Sequence, residues 1–199
     1  MIETLAKKMT RKFINHKIIK TEDREIYDYC FEAMIVILLS YSLLFILSII
    51  FNEFISTLIF ILSFSSFRKV CGGYHADNYL KCGLMSLASY LFLILIIKKI
   101  RVIFEVSSIT LIIGAIIIIL LSPVPNDNKP FTENQKRRFT FISKILATIL
   151  ILIFLILEIF GFHNSISNKY CFSLCYGIDL IAFSLILSKI ERRIKNAKN

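Results

Sequence analysis

The sequence predicts an all-α polytopic membrane protein with about six transmembrane or re-entrant helices and an N-terminal amphipathic interfacial helix. The chain has 199 residues, of which 56% are hydrophobic. Its isoleucines and leucines form runs too long for the core of a soluble domain of this size. The charged residues collect between these runs. We therefore expect residues 1–199 to form a single integral membrane domain.

The N-terminal region, residues 1–32, is charged throughout and lacks the pattern of a secretory signal, so we expect it to be retained. Within residues 1–20, apolar side chains recur at helical intervals between lysines and arginines, which is typical of a helix lying on an anionic membrane surface. These apolar residues are Ile2, Leu5, Ala6, Met9 and Phe13. Thr21, followed by acidic residues, predicts the start of a helix that leads into the first span.

Six apolar segments follow, near residues 33–51, 54–67, 83–97, 102–121, 142–162 and 171–189. A helix needs about 20 apolar residues to cross a bilayer. The second and third segments, with 14 and 15 residues, are short. They predict either two short or tilted spans, or a re-entrant pair whose connection dips below the headgroups.

The distribution of positive charge predicts the orientation. Of the 24 lysines and arginines, 19 lie in residues 1–32, 68–82, 122–141 and 189–199, and four lie in the alternate loops. We therefore expect both termini, with 190–199 as a tail, to be cytoplasmic. The net charge of +10 favours anionic lipids or an acidic partner. It does not indicate nucleic acid, because the basic residues cluster at span ends without stacking aromatics.

Reactive side chains concentrate in the stretch RKVCGGYHADNYLKC, Arg68 to Cys82. On one continuous helix His75 and Cys82 would lie about 10 Å apart along the axis, too far for direct proton transfer. If a helix begins between them, capped by Asp77 or Asn78, Cys82 lies early in it and His75 on the preceding loop. A thiol near a helix N-terminus and an imidazolium is a usable nucleophile, so this spacing predicts Cys–His nucleophilic catalysis.

Neighbouring residues suggest supporting roles. The Gly72-Gly73 pair can turn the chain and present N–H groups to an oxyanion, although most such pairs are only turns. Arg68 can hold a substrate carboxylate or serve as an interface anchor. Asp77 can cap the helix or orient His75.

Two other interpretations use the same cysteines and histidine. Cys71, His75 and Cys82 are zinc-type ligands, but a fourth ligand and a CxxC motif are missing from the sequence, so we predict no metal and no cofactor. His75 and Cys82 can also be filler at a helix end. An odd number of cysteines does not suit a disulfide framework and fits reduced thiols. We expect Cys30, Cys171 and Cys175 to be small apolar fillers.

A different class of function is a small transporter or peptide exporter without proteolytic chemistry. Asp179 lies near the middle of the sixth span, where an ionisable residue is a functional candidate. Glu158 and Lys144 on the fifth span are candidate partners, although a structural polar contact is the favoured role for Asp179. A membrane scaffold or receptor would need neither His75 nor Cys82.

The sequence closely resembles the accessory gene regulator B (AgrB) family of membrane endopeptidases in Gram-positive quorum sensing. The resemblance runs over nearly the whole chain. The matching residues are Arg68, Gly72-Gly73, Tyr74, His75-Ala76 and Cys82, followed after two further helices by Pro123 and Asn128-Lys129-Pro130.

This resemblance implies a cysteine endopeptidase in the cell membrane, with Cys82 as nucleophile and His75 as base. Its partner is an AgrD-like propeptide that loses an acidic C-terminal tail and becomes a cyclic thiolactone or lactone. Arg68 and Gly73 match positions that the family needs, whereas Cys71 stands where a small non-thiol residue is expected. The sequence leaves a homodimer open. We expect basic residues to bind the acidic tail, namely Arg68, Lys69, Lys129, Lys136, Arg137 and Arg138.

Overall fold

The computed structural model describes residues 2–74, 79–100, 104–124, 131–160 and 165–198. Within these ranges the chain forms seven α-helices and a short 3-10 helix at Thr21–Asp23. The α-helices are α1 (Ile2–Asn15), α2 (Arg24–Ile50), α3 (Phe54–Cys71), α4 (Tyr79–Lys99), α5 (Phe104–Leu121), α6 (Glu133–Ile159) and α7 (Ser165–Lys198). The predicted all-α fold class is confirmed.

Six helices, α2 to α7, are long and apolar enough to cross a membrane by their length and composition. The two short segments of the sequence become helices of 18 residues (α3) and 21 residues (α4). At 1.5 Å per residue they measure about 27 and 31 Å, close to the thickness of the hydrocarbon core. They are longer than their apolar segments because polar residues such as Arg68 and Lys81 continue the helices. These lengths favour two spans over a re-entrant pair.

The predicted loop at 122–141 is partly helical, because α6 begins at Glu133. The Thr132 amide donates to Gln135 Oε1 at 3.1 Å, and the Gln135 amide donates to Thr132 Oγ1 at 3.3 Å. This reciprocal capping box satisfies two backbone donors that a helix start leaves free. Because of this cap, α6 begins before its apolar segment, and its first turns carry polar and basic residues. Similarly, α7 continues to Lys198, so most of the predicted tail at 190–199 is helical.

The chain divides into two compact units. The first consists of Met1–Phe51 and Ala76–Tyr90, and the second of Asn52–His75 and Leu91–Asn199. The single domain expected over residues 1–199 stays a prediction.

In the first unit, α1 packs against α2. Ala6 and Thr10 are buried, and the rings of Phe13 and Phe31 lie 5.3 Å apart between centroids. On the exposed face Lys7 donates a hydrogen bond to Glu3, which lowers the pKa of the Glu3 carboxyl. An N-terminal helix with one apolar and one charged face is thus confirmed, and its place at a membrane surface stays a prediction.

In the second unit, α7 packs against both α3 and α5, and α6 packs against α5 and α3. Near the start of α3 and α7, Lys169 Nζ lies 2.9 Å from Glu53 Oε2. Near the end of α3, Arg68 Nη1 lies 2.8 Å from Ser184 Oγ. Since both links advance in the same direction along the two helices, α3 and α7 run parallel. The end of α3 therefore lies beside a residue late in the apolar part of α7.

Close approach of α3 and α7 depends on Gly177. A Cβ atom there would lie 2.2 Å from Ser63 Oγ, 3.1 Å from Phe64 N and 3.2 Å from Phe60 O. Two of these three neighbours are backbone atoms, which cannot rotate away. Small residues that let backbones approach are the usual means by which membrane helices pack tightly.

We expect Gly177→Ala to lower the free energy of unfolding by about 1 to 3 kcal/mol, because the added methyl group overpacks the α3–α7 contact. The matched control is Gly83→Ala on α4, where a Cβ would meet no atom within 4 Å. That control should be neutral or slightly stabilising, because alanine is the better helix former. Denaturant unfolding of both variants in detergent micelles measures the difference. Equal stabilities would contradict the close contact.

Candidate active site

The candidate site begins where α3 ends at a pair of glycines. Gly72 has φ +72° and Gly73 has φ +115°, both in the region that side chains rarely adopt. The Gly72 amide donates to Arg68 O at 3.2 Å and so closes the last turn of α3. The predicted turn at Gly72-Gly73 is therefore present.

The turn is held against the end of α5. The Val124 amide donates to Cys71 O at 2.9 Å, and Gly72 pairs with Val124 in an isolated parallel bridge. A Cβ at Gly72 would lie 2.1 Å from Val124 O. The glycine turn and Val124, the residue after Pro123, are thus adjacent in the fold.

The half-buried Arg68 guanidinium binds the backbone of this turn. Its Nη1 donates to Gly72 O at 2.8 Å and its Nη2 donates to Tyr74 O. The carbonyl of Tyr74 belongs to the peptide bond that joins Tyr74 to His75. Arg68 therefore holds the chain at the point where it continues into the histidine.

A residue that the sequence did not single out, Ser184 on α7, completes this arrangement. Its Oγ accepts hydrogen bonds from Arg68 Nη1 at 2.8 Å and from the Tyr74 amide at 3.0 Å. The Tyr74 amide also donates to the backbone carbonyl oxygen of Ser184 at 3.1 Å. No sequence pattern indicated this role, because Ser184 is one serine in an apolar run and lies 110 residues after Tyr74.

The cysteines differ sharply in exposure. Cys82 is exposed and is the fourth residue of α4 as described, and the predicted start of a helix between His75 and Cys82 stays a prediction. Cys71 is fully buried in the core of the second unit, and Cys171 and Cys175 are buried as predicted. Cys30 on α2 is exposed, so the expectation that it fills an apolar interior is wrong.

Several predicted residues lie outside the described residues, namely His75, Ala76, Asp77, Asn78, Asn128, Lys129 and Pro130. The Cys–His pairing, the helix cap and the zinc alternative therefore stay predictions. The other basic residues are exposed: Lys69 on the last turn of α3, and Lys136, Arg137 and Arg138 near the start of α6.

Asp179, the intramembrane acid, packs against α5. A Cβ at Gly114 would lie 2.7 Å from Asp179 Oδ1. In the part of the chain that the structure describes, no ion pair joins Asp179 to Lys144, which is exposed, and the side chain of Glu158 is outside that part. This packing fits a structural polar contact.

The fold and the site define a class, an all-helical membrane protein with several spans and an exposed thiol near the start of one of them. The family model Accessory gene regulator B (AgrB) matches residues 6–186, and the chain belongs to this family. The family is involved in AgrD processing in quorum sensing, so the general partner is an AgrD-like propeptide.

Two relatives come from Clostridium perfringens. An AgrB-like protein of strain SM101 is 28% identical over 189 residues, which cover 89% of this chain and 88% of the relative. AgrB-like protein 2 of strain 13 is 27% identical over 189 residues, with the same coverage. No solved structure matches the chain.

The exposure of the thiols predicts their reactivity. In detergent micelles we expect iodoacetamide to alkylate Cys82 at least about tenfold faster than Cys71, because access limits a buried thiol. Unfolding should make the two rates similar. Peptide mass spectrometry at timed intervals measures both sites in the same sample. A native Cys71 that reacts as fast as Cys82 would contradict the burial described above.

Proposed function

We propose that this protein is a membrane-embedded cysteine endopeptidase that removes the acidic C-terminal tail of an AgrD-like propeptide. Cys82 is the nucleophile and His75 the general base. Both termini and the site face the cytoplasm of a Gram-positive cell. The observation that carries the proposal is the exposed Cys82 thiol in the first turns of α4, within the segment that matches the AgrB family.

The chemistry follows from the thiol. His75 accepts the proton of Cys82, the sulfur attacks the scissile carbonyl, and the amine of the released tail takes up a proton as it leaves. The thioester keeps the acyl group activated. A thiol or hydroxyl within the propeptide then displaces Cys82 and closes a thiolactone or lactone ring. Exclusion of water at the membrane edge favours this transfer over hydrolysis.

The glycine turn supports the developing oxyanion. The Gly72 amide already donates to Arg68 O, so the oxyanion contact falls to Gly73. Arg68 was predicted to bind substrate, and its contacts with Gly72 O and Tyr74 O support an additional role in fixing the turn. The exposed basic residues Lys69, Lys136, Arg137 and Arg138, with Lys129, attract the acidic tail.

We expect Cys82→Ala and His75→Ala each to abolish propeptide cleavage while insertion into the membrane is unchanged, because each removes one half of the catalytic pair. Cys71→Ala is the matched control and should keep most activity. The assay uses purified protein in vesicles without an ion gradient, with a synthetic AgrD-like propeptide as substrate. Cleavage by Cys82→Ala would refute the assignment, and a requirement for a gradient would favour a transporter.

Neutralising Lys136, Arg137 and Arg138 together should raise KM more than it lowers kcat, because these contacts lie away from the bond that breaks. Exposed ion pairs contribute about 0.2 to 1 kcal/mol each, so binding should weaken by roughly threefold to a hundredfold. Added salt should reproduce the effect. Arg68→Ala should instead lower kcat, because it releases the turn. Equal and salt-insensitive losses of kcat in both variants would contradict electrostatic recruitment of the tail.

A further inference from the structure

We propose that Ser184 on α7 is a positioning residue for catalysis, which acts by fixing the backbone that leads into His75. This inference rests on the proposed function, since it gives His75 the role of base. Ser184 touches no reacting atom in this scheme. It acts through Tyr74 and Arg68, the two groups that its oxygen atoms bind.

One oxygen atom, the Ser184 hydroxyl, is the acceptor for two donors at the turn. Ser184 Oγ accepts from Arg68 Nη1 at 2.8 Å and from the Tyr74 amide at 3.0 Å. Arg68 in turn donates to Gly72 O and Tyr74 O. Both the N–H and the C=O of Tyr74 are therefore held, the first by Ser184 and the second by Arg68. Because the peptide bond after Tyr74 is planar, its carbonyl also fixes the direction in which the chain enters His75.

The bonding of Ser184 differs from that of three other hydroxyls in the membrane helices. Ser40, Thr148 and Ser173 each donate to the carbonyl four residues earlier in their own helix, at 2.8 to 2.9 Å. That pattern is the usual way in which a hydroxyl is satisfied within a helix. Ser184 Oγ instead accepts hydrogen bonds from a segment that precedes it by more than a hundred residues.

The space around Gly73 shows how tightly this arrangement is packed. A Cβ at Gly73 would lie 2.5 Å from Ser184 Oγ and 2.7 Å from Arg68 Nη1. The main chain of the turn therefore passes directly over the two side-chain groups that bind it. Loss of the hydroxyl leaves a gap, removes one acceptor of Arg68 Nη1, and leaves the Tyr74 amide with the Ser184 carbonyl as its remaining acceptor on α7. The turn therefore gains freedom to move.

A small displacement of a general base reduces the rate of the chemical step, because proton transfer needs the correct geometry. Ser184→Ala should lower kcat by about 10- to 100-fold and change KM less than about twofold. Ser184→Thr keeps a hydroxyl on the same carbon and should restore most of the rate. Ser173→Ala is the matched control on the same helix, because its hydroxyl donates to Lys169 O within α7.

A second measurement needs no substrate and separates this inference from the proposed function. Iodoacetamide alkylates Cys82 at neutral pH at a rate that depends on activation of the thiol, and mass spectrometry follows the Cys82 peptide. We expect His75→Ala and Ser184→Ala to slow alkylation, and Ser173→Ala and Ser184→Thr to leave it unchanged. If His75→Ala slows the reaction and Ser184→Ala does not, the positioning role is wrong and the catalytic pair stands.

The remaining outcomes are equally decisive. If His75→Ala has no effect on alkylation, the catalytic pair is wrong, and the role of Ser184 is wrong with it. A Ser184→Thr variant as slow as Ser184→Ala would show that the hydroxyl is not responsible. If Ser184→Ala does not fold, hydrogen exchange of the wild-type protein tests whether Ser184 holds the Tyr74 amide, through its hydroxyl and its carbonyl together. The Tyr74 amide should be protected, and fast exchange there would overturn the inference.

Discussion

Backbone polar groups lose their helical partners where a helix ends, and wherever lipid excludes water the new partners must come from the protein. This constraint shapes the second unit. When α3 ends at Cys71, its last carbonyls and the following amides lose their helical partners. Val124 pairs with Cys71, Arg68 binds two carbonyls of the turn, and Ser184 binds the Tyr74 amide. The described part of the turn is therefore bound by Arg68 of α3, by Val124 just after α5 and by Ser184 of α7.

The same constraint explains why α3 and α7 must pack closely. Ser184 can reach the turn only if the two helices approach at a short distance along their length. Gly177 permits this approach near the middle, and the Glu53–Lys169 ion pair links the helices at the other end. A partly buried ion pair such as this one stabilises less than its Coulomb attraction suggests, because both groups lose some of their water. Its clearest effect is to fix the register of α3 against α7.

Much of the fold could be predicted from the sequence, because hydrophobic runs and charge placement are strong signals for membrane helices. The N-terminal helix, the six long helices, the Gly72-Gly73 turn and the position of Cys82 early in α4 all followed from local patterns. The start of α6 was missed although Thr132 and Gln135 have capping-box spacing, because the nearby prolines suggested a loop throughout. The role of Ser184 could not be predicted. Hydrogen bonds to distant backbone groups leave no periodicity or spacing in a sequence.

Arg68 shows why the hydrogen-bond partners of a charged residue are hard to predict from the sequence. The sequence offered two roles, an interface anchor and a carboxylate binder, because those are the usual partners of arginine at a span end. The observed acceptors include two backbone carbonyls and a serine hydroxyl. Every residue type carries the same carbonyl, so no pattern of side chains could have indicated them.

The link between the turn after α3 and the last helix has a consequence for biosynthesis. Ribosomes make α3 long before α7, and during that interval Ser184 does not yet exist. Glu53 likewise has no partner in this ion pair until Lys169, which also belongs to α7, has been made. A nascent chain therefore cannot complete the hydrogen bonds of the turn until its final helix has been translated and inserted. Assembly of the site is thereby tied to completion of the polypeptide, and a chain truncated before α7 lacks the partners that both ends of α3 require.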